Sequence, residues 1–389
     1  MSVSSILLVG IWGPTSLAFV RSCHRQGLRV YLLEVGDGSS VWRRYSSCLT
    51  GGDRIGPEKI GTPEGIRLIR DYVSLVGAQA VVTADDVRML WLAQNRVSFE
   101  PACRLLIPAA ETLEFVSSKR NQIELATRVG FNVLPTFYLS TSSNCRNIPS
   151  ELYPMVVRPD CKLWQRWPFK VELISSPMEL ETFMRALDCT RGLLVLQPFL
   201  SLPNMVVHGV RTETGTILTM QAFVAPRKFE GVTLTIMPAV FPPNVEQYCR
   251  DFVESAGVTG CFHFELLFSP YDNRAWFLEI NVRLGGTTDK VTRLGFDETS
   301  YLLSAYGIKP IPSNRPSLLQ ASAADKRALL KHIIWAVRGD LTELDYPPST
   351  RMRHVWRSLR DLWTTKDSIF SLSDLRGAFW WSPPEREYP

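Results

Sequence analysis

The sequence predicts two architectures in one chain, an α/β region first and an α+β region after it. Residues 6–9 form an apolar run, which is followed by a Gly10-Ile-Trp-Gly-Pro turn, a helix to Gln26, and a second apolar run at residues 28–35. This strand–helix–strand order favours a parallel sheet. Between residues 205 and 240, three segments alternate apolar and polar residues instead, which is typical of antiparallel strands.

We predict the remaining elements from hydrophobic periodicity and from the capping residues, glycines and prolines that begin or end each periodic segment. Predicted helices cover residues 64–76, 87–95, 118–129, 177–187 and 244–256. Predicted strands cover residues 80–83, 133–139, 155–157, 171–174, 193–197, 205–211, 217–224, 232–238, 260–268 and 275–281. The expected domains are an α/β domain at 1–112, a subdomain with a lid at 113–204, a core at 205–309, and a Trp-rich basic helical extension at 310–389.

Composition and charge exclude several classes of protein. The length of 389 residues suits two or three domains, and a net charge of +5 suits anionic ligands without arguing for nucleic acid. None of the eight cysteines lies in a Cys-x-x-Cys pair, so neither a zinc site nor a disulfide framework is expected. No apolar run reaches the ~18 residues of a membrane span, and no signal-peptide pattern opens the chain. We expect a cytoplasmic protein.

Two predicted strands near residue 270 carry the strongest chemical pattern. Glu265 lies within an apolar run, and Glu279, Asn281 and Arg283 occupy every second position of the next strand. Residues i, i+2 and i+4 of a strand share one face, and a hairpin brings Glu265 beside Glu279. Because unpaired charges inside apolar runs are costly, these oxygen ligands together predict a Mg²⁺ site completed by phosphate oxygens. Arg283 is then expected near the same phosphates, where its planar fork stabilises developing charge.

This constellation resembles the ATP-grasp superfamily, of the amide-forming carboxylate–amine ligase type. Residues 260–286 resemble its C-terminal core, with a Glu…Glu-x-Asn-x-Arg signature. Lys119 opens a helix that resembles the first ATP-binding lysine segment, and Pro-Met-Val-Val-Arg158-Pro resembles the segment of the second cation. Residues 195–200 resemble the hinge whose backbone pairs with adenine, and residues 6–35 resemble the Rossmann-like domain that precedes the ATP-grasp module.

The resemblance implies ATP and Mg²⁺ as the cofactors, with Mn²⁺ as an alternative ion. Glu265, Glu279 and Asn281 are the expected metal ligands, and Arg283 is the expected catalytic residue. The expected nucleotide-binding residues are Lys119, Arg158, Lys162, Gln197, Phe199 and Leu200. The resemblance covers about residues 1–305 and leaves the tail outside it.

The phosphate-binding segments depart from the family pattern at three points. Arg158 stands where the family has lysine, which replaces a point cation by a planar fork. Residues 160–169 contain no glycine, although backbone amides of a Gly-rich loop normally cover the phosphates, and Lys162 is a candidate to replace them. The acidic residue that grips ribose after the hinge is missing, and Asn204 and His208 are the candidates for its place.

Candidates for the substrate side lie in the first domain and in the antiparallel region. Asp86 follows the third predicted strand of the first domain. Arg211, Arg227 and Lys228 flank the expected cleft, where one of them is expected to bind a substrate carboxylate through two hydrogen bonds. Arg227 is preferred because the stretch that begins at Gly231 resembles the family's substrate-proximal strand.

The resemblance implies ATP-dependent activation of a substrate carboxylate as an acylphosphate, followed by attack of an amine to form an amide. Three alternatives stay open: a non-catalytic or regulatory nucleotide-binding module, a carboxylase that uses the same site, and a nicotinamide-dependent dehydrogenase. The dehydrogenase ranks last because the Gly10-x-x-Gly13 turn lacks the full Gly-x-Gly-x-x-Gly fingerprint. The expected partners are small-molecule carboxylates and amines, not nucleic acid, and a homodimer is the expected form of any assembly.

The tail beyond residue 310 holds five of the eleven tryptophans. Trp356, Leu359 and Trp363 fall on one face of a predicted helix with basic residues around them. A helix packed on its own domain is the first interpretation of this pattern. Docking to a membrane surface or to a partner is the second.

Overall fold

The computed structural model describes residues 4–100, 102–140, 148–161, 167, 169–187, 192–313 and 316–379. Its strands are β1 (Ser5–Gly10), β2 (Arg29–Val35), β3 (Gly51–Ile55), β4 (Ala80–Val82), β5 (Arg104–Leu105), β6 (Asn132–Val133), β7 (Phe137–Leu139), β8 (Met155–Pro159), β9 (Glu172–Ile174), β10 (Leu194–Pro198), β11 (Asn204–Arg211), β12 (Ile217–Phe229), β13 (Val232–Ala239), β14 (Gly260–Ser269), β15 (Arg274–Asn281), β16 (Ala323–Ala324) and β17 (Lys366–Asp367). Its helices are α1 (Pro14–Arg25), α2 (Pro63–Val76), α3 (Asp86–Gln94), α4 (Ala110–Ser117), α5 (Lys119–Val129), α6 (Pro177–Ala186), α7 (Val245–Ser255), α8 (Thr288–Arg293), α9 (Glu298–Ala305), α10 (Lys326–Arg338), α11 (Arg351–Thr364) and α12 (Leu375–Phe379).

Five parallel strands form the first sheet, in the order β3-β2-β1-β4-β5. Helix α1 begins with Pro14, whose fixed φ suits the first helical turn. The chain passes from α1 into β2 through Gly27, at a φ of 72° that favours glycine. The predicted α/β opening is therefore confirmed, and with it the Rossmann-like first domain.

A small antiparallel sheet, in the order β7-β10-β8-β9, comes next in the chain. Helix α6 packs on it through Leu180 and Met184, in a core separate from those of the other sheets. The Ser176 side chain caps this helix by accepting a hydrogen bond from the Glu179 amide. The residues of β8 and β10 are thus held in place by a sheet that has its own hydrophobic core.

The largest sheet has eight strands, in the order β17-β16-β13-β12-β11-β14-β15-β6. Pairing from β16 through β15 is antiparallel, which confirms the predicted antiparallel region. Phe262, Phe264 and Phe277 point to one face of this sheet, where they pack against α5 and α7. Alternating residues such as His263 and Glu265 therefore point to the other face. The aromatic core fixes the direction of the polar side chains.

The C-terminal region is more than a helical extension, because it also adds β16 and β17 to the edge of the largest sheet. Helices α10 and α11 pack against each other beside β12. The expected helices around Trp335 and Trp356 are both present. No helix among the described residues is long and apolar enough to cross a membrane.

Asp374, just before α12, ties the C-terminal region to the first domain. Its carboxylate accepts hydrogen bonds from Arg21 at 2.8 Å and from the hydroxyls of Ser46 and Ser47 at 2.7 and 2.9 Å. Burial raises the pKa of Asp374, but these hydrogen bonds outweigh burial and hold the pKa at about 2. A buried, charged contact therefore holds the C-terminal region on the first domain.

Candidate active site

The hairpin of β14 and β15 brings the two predicted carboxylates side by side. Glu265 is the register partner of Glu279, and His263 is the partner of Asn281. The strands join through a short turn in which Asn273 adopts a φ of 52°. Both carboxylates line one cavity of about 420 Å³. The hairpin arrangement expected from the spacing of these residues is present.

The Glu265 carboxyl lies where its negative charge is disfavoured. Burial first, and the charge of Glu279 second, raise the pKa of Glu265 to about 7. The nearby cations Arg283, Arg158 and Lys119 oppose this shift without cancelling it. A further cation beside the two carboxylates would relieve their repulsion.

Two cations approach Glu279 from separate elements. Lys119, the first residue of α5, places Nζ 3.2 Å from Glu279 Oε2, and Arg158 of β8 places Nη1 3.9 Å from the same oxygen. The start of α5 is fixed by Ser118, whose hydroxyl accepts a hydrogen bond from the Asn121 amide. The helix cap therefore determines where the lysine enters the site.

Arg158 is oriented by a chain of hydrogen bonds within the four-stranded sheet. Its Nη2 donates to Gln197 Oε1 at 2.6 Å, and Gln197 Nε2 donates to Thr136 Oγ1 at 2.9 Å. Burial lowers the pKa of Arg158, against the pull of Glu279 and Glu265, yet a guanidinium keeps its charge. Gln197, expected at adenine, here holds the arginine toward the carboxylates.

The cavity of about 420 Å³ that the two carboxylates line, which we call the larger cavity, lies between the four-stranded sheet and the eight-stranded sheet. Its walls include Val156, Arg158, Gln197, Phe199, Leu200, Lys228, His263, Glu265, Leu267 and Glu279. Strand β10 has a neighbouring strand on each side, and the Phe199 amide donates to the Pro154 carbonyl at 2.8 Å. The backbone of residues 195–197 is therefore paired within the sheet, and the Phe199 amide is also engaged.

A smaller cavity of about 210 Å³ adjoins Glu279 and is lined by Arg283 and Asp86. Arg283 Nε donates to Asp86 Oδ1 at 2.7 Å. The preceding residue, Asp85, caps α3 by accepting a hydrogen bond from the Arg88 amide, which places Asp86 in the first turn of the helix. The structure thus joins the predicted catalytic arginine to a first-domain residue predicted for the substrate side.

Two of the predicted substrate residues lie away from both cavities, and Lys162 lies outside the described residues. Arg211 is at the far end of β11, where it donates to the carbonyls of Gly215 and Val258 at 3.1 and 2.8 Å. Arg227 is buried against the C-terminal helices, where Nη1 donates to Asp361 at 2.6 Å. Both guanidinium groups make hydrogen bonds within the fold, so neither arginine is placed to bind a substrate in the cleft.

Lys228, the neighbour of Arg227, faces the larger cavity instead. Its Nζ donates to Asn204 Oδ1 at 3.0 Å, and burial lowers the pKa of Lys228 to about 8 while Glu265 opposes the shift. Successive residues of a strand point to opposite faces, so Arg227 and Lys228 point to opposite faces of the sheet. Asn204, one of the two candidates for ribose, lines the same cavity.

Buried polar residues lie behind the carboxylates, and of these His263, Thr287 and Glu298 were not predicted as part of the site. His208, the other ribose candidate, is fully buried, with Nδ1 2.8 Å from Glu298 and Nε2 2.8 Å from Thr287. Its ring stacks on His263 at 5.5 Å, and His263 Nε2 lies 3.8 Å from Glu265. Burial lowers the pKa of His263, so this ring is neutral. His263 and Thr287 line the larger cavity, whereas His208 supports them from behind.

Comparison with known proteins gives matches among solved structures alone, because neither a protein-family model nor a curated protein matches the chain. An N5-carboxyaminoimidazole ribonucleotide synthetase in complex with ADP matches with a TM-score of 0.65 and 12% identity, over 87% of this chain and 85% of that one. An L-amino acid ligase from Bacillus licheniformis matches with a TM-score of 0.63 and 15% identity, over 83% and 80%. The biotin carboxylase domain of a Hydrogenobacter thermophilus 2-oxoglutarate carboxylase, bound to MgADP, ADP and bicarbonate, matches with a TM-score of 0.61 and 14% identity, over 83% and 74%.

These structures are ATP-grasp enzymes, and this chain has the ATP-grasp fold with a Rossmann-like domain before it. The resemblance stated from the sequence motifs is confirmed at the level of the fold. At such low identity the likeness concerns architecture, so the chemistry of the site rests on the residues of this chain.

The ligand atoms at the hairpin fit a Mg²⁺ ion that is shared with phosphate. Glu265 and Glu279 offer carboxylate oxygens side by side, and Asn281, whose Nδ2 donates to Glu279 Oε1 at 3.3 Å, carries an amide oxygen on the same strand. Oxygen atoms of these kinds are the hard ligands that Mg²⁺ prefers. Among the residues that the structure describes, no group of three or more His, Cys, Asp or Glu side chains is placed to hold a metal ion. Phosphate oxygens and water would therefore have to complete the coordination, as is usual for Mg²⁺ beside nucleotides.

Proposed function

We propose that the protein is an ATP-dependent ligase, which activates a substrate carboxylate as an acylphosphate and joins the acyl group to an amine. The observation that carries this proposal is the position of Glu279 between two cavities. Lys119 and Arg158 approach it within 4 Å, and the Arg283–Asp86 pair lines the smaller cavity beside it. Charge is thus concentrated where a phosphoryl group would pass from one ligand to the other.

The larger cavity is proposed to hold ATP. Phe199, Leu200 and Leu267 supply apolar walls for the base, and Arg158 and Lys228 supply cations for the phosphates. Lys119 lines the adjoining smaller cavity and reaches the boundary between the two at Glu279. Without a ligand, both Lys119 and Arg158 face the Glu279 carboxylate. When ATP binds, its phosphate oxygens would take the place of this carboxylate as the anionic partner of the two cations. Such an exchange avoids leaving a buried cation unpaired at any stage.

Glu265, Glu279 and Asn281 are proposed to hold Mg²⁺, which when bound would neutralise phosphate charge and place the γ-phosphate. The raised pKa of Glu265 supports this role, because its charge is costly until a cation arrives. Mn²⁺ has the same preference for oxygen ligands and is expected to substitute.

The smaller cavity is proposed to hold the acceptor carboxylate. An oxygen of that carboxylate forms a bond to the γ-phosphorus while the bond from phosphorus to the ADP oxygen breaks. Arg283, held by Asp86, donates hydrogen bonds to the group in transfer and stabilises its charge. The amine then attacks the acyl carbon, and inorganic phosphate leaves with the bonding electron pair as the amide forms.

In this proposal the parts of the chain divide the work. The first domain, 1–112, supplies Asp86 to the acceptor side. The segment 113–204 supplies the two phosphate cations, the segment 205–309 supplies the metal ligands, and the extension 310–389 adds Leu344 to the wall of the larger cavity.

The test is ADP release with candidate pairs of carboxylates and amines, with the product identified by mass spectrometry. The proposal predicts release that requires both substrates, and an amide whose mass equals their sum less one water. Release that requires bicarbonate and no amine would contradict the proposal and favour a carboxylase. Nucleotide binding with no release under any pair would favour a regulatory module.

A further inference from the structure

Helix α11 has its polarity reversed relative to an ordinary surface helix. Its buried positions are the polar residues His354, Ser358 and Asp361. Its outward positions are Met352, Trp356, Leu359 and Trp363, of which the two tryptophans are 67% and 88% exposed. A helix that packs on its own domain normally buries the apolar stripe instead.

The cause of the reversal lies in the sheet beneath the helix. Arg227 of β12 is 4% exposed and needs polar partners there. Asp361 and Ser358 supply them, accepting hydrogen bonds from its guanidinium at 2.6 and 2.9 Å. Because the inner face of α11 is occupied by these contacts, its apolar face stays exposed in the part of the chain that the structure describes.

Helix α10 extends the same surface. Leu330, Ile334 and Val337 are exposed at helical spacing, and α10 packs beside α11. We call these three residues and the four outward residues of α11 the outer face. Monomeric proteins rarely expose apolar patches of this kind unless the patch binds something.

Charge indicates what that partner is. The two helices contain eight basic residues, namely Lys326, Arg327, Lys331, Arg338, Arg351, Arg353, Arg357 and Arg360. Their one acidic residue is the buried Asp361, so the helices carry +7 while the whole chain carries +5 and the remainder carries −2. Counted with the adjoining acidic residues Asp325, Asp340, Glu343 and Asp345, residues 325–364 carry +3 of the chain's +5, so more than half of the net positive charge lies in this region.

We propose that the outer face docks the protein peripherally on an anionic lipid surface. Trp356 and Trp363 would enter the boundary between headgroups and acyl chains, where tryptophan side chains are favoured. The surrounding arginine and lysine side chains would meet the anionic headgroups. A second copy fits less well, because a two-fold interface would set two positively charged surfaces against each other.

The docked face and the cleft lie on opposite sides of β12. Arg227 contacts α11, whereas its neighbour Lys228 lines the larger cavity. Docking would therefore leave the cleft open to small molecules in solution. The proposal does not depend on which reaction the cleft performs.

The test is flotation of the full chain with vesicles of phosphatidylcholine, with or without phosphatidylserine. We expect binding only to the vesicles with phosphatidylserine, weakened by added salt. The double substitution W356S/W363S should lower the partition coefficient by about tenfold or more, because it removes the apolar anchors. Its matched control is V240S/Y271S, which replaces two residues that are 88% and 95% exposed elsewhere.

A second pair of variants separates charge from apolar contact. R353E/R360E should abolish the preference for phosphatidylserine, whereas R274E, at the exposed arginine that begins β15, should keep it. Circular dichroism would establish that each variant is folded. Failure of the folded wild type to float would overturn the proposal, as would equal binding by W356S/W363S. A dimer that W356S/W363S dissociates, without vesicle binding, would assign the face to a second copy.

Discussion

The two sides of strand β12 hold neighbouring buried cations in different surroundings. On one side, burial lowers the pKa of Arg227, but Asp361 and the hydroxyl of Ser358 accept hydrogen bonds from its guanidinium and α11 closes over this matched contact. On the other side, Lys228 faces a cavity in which Glu265 has a pKa raised to about 7 and Lys228 one lowered to about 8. Matched charges mark a contact that holds the fold. Charges that remain disfavoured beside an open cavity mark a place prepared for a ligand.

The largest expected effect concerns the matched side. Asp361→Ala leaves the buried Arg227 guanidinium without its carboxylate, so the free energy of unfolding should fall by about 3–5 kcal/mol. Urea denaturation would measure it. The double variant R227M/D361L should be less destabilised, because it leaves no unpaired charge. A loss below about 1 kcal/mol for Asp361→Ala would show that the contact does not hold the fold.

The next effect concerns the other side of the sheet. Arg283→Ala should lower the rate of ADP formation by about 10²–10³-fold, because it removes donors aimed at the group in transfer. Binding of a non-hydrolysable ATP analogue should change little, since Arg283 lies at the smaller cavity. Arg283→Lys should recover only part of the rate, because lysine lacks the planar fork. An equal loss of binding and rate would contradict the assignment of Arg283 to the transfer step.

A smaller effect concerns how the stabilisation by a matched charge, that of Asp374, depends on pH. The pKa of Asp374 is lowered from 3.8 to about 2, so its stabilising contribution is present above pH 4 and is lost as pH falls toward 2. Asp374→Asn should therefore reduce the free energy of unfolding by about 2 kcal/mol near pH 5, and the difference from wild type should vanish near pH 2. Urea denaturation at several pH values would check it. A difference that is constant with pH would contradict the charged contact.

An effect of the opposite sign lies in the cleft. The pKa of Glu265 is raised, so ionisation of this carboxyl lowers stability as pH rises from 4.5 to about 7. Glu265→Gln should raise the melting temperature of the nucleotide-free protein at pH 8 and leave it unchanged near pH 4.5. The control is Asp272→Asn, in the turn of the same hairpin. A lower melting temperature for Glu265→Gln at pH 8 would show that Glu265 is a matched charge.

The hairpin at Glu265 and Glu279 could be predicted because strand periodicity and the cost of buried charge point to the same arrangement. The order of the Lys119, Arg158 and Phe199 segments likewise indicated the fold, since each motif is local in the sequence. Local pattern also sufficed for the opening strand–helix–strand unit.

The choice between Arg227 and Lys228 could not be predicted, because it depends on which side α11 covers. The Arg227–Asp361 contact joins residues far apart in the sequence, and no local pattern specifies it. The position of Arg211 could not be predicted for a similar reason, because the pairing of β11 with its neighbours decides which end of the strand faces the cleft. Strands as short as β16 and β17, at two residues each, are too brief for periodicity to show.

The most direct test of the central claim is calorimetric titration of the wild type with a non-hydrolysable ATP analogue, with and without Mg²⁺. The comparison is with Glu279→Ala, and Asp272→Ala is the control in the same hairpin. We predict that Mg²⁺ strengthens binding to the wild type and to Asp272→Ala, and that Glu279→Ala loses this gain because it loses a metal ligand. No binding by the folded wild type, or an undiminished gain from Mg²⁺ in Glu279→Ala, would contradict a nucleotide site built on Glu265 and Glu279.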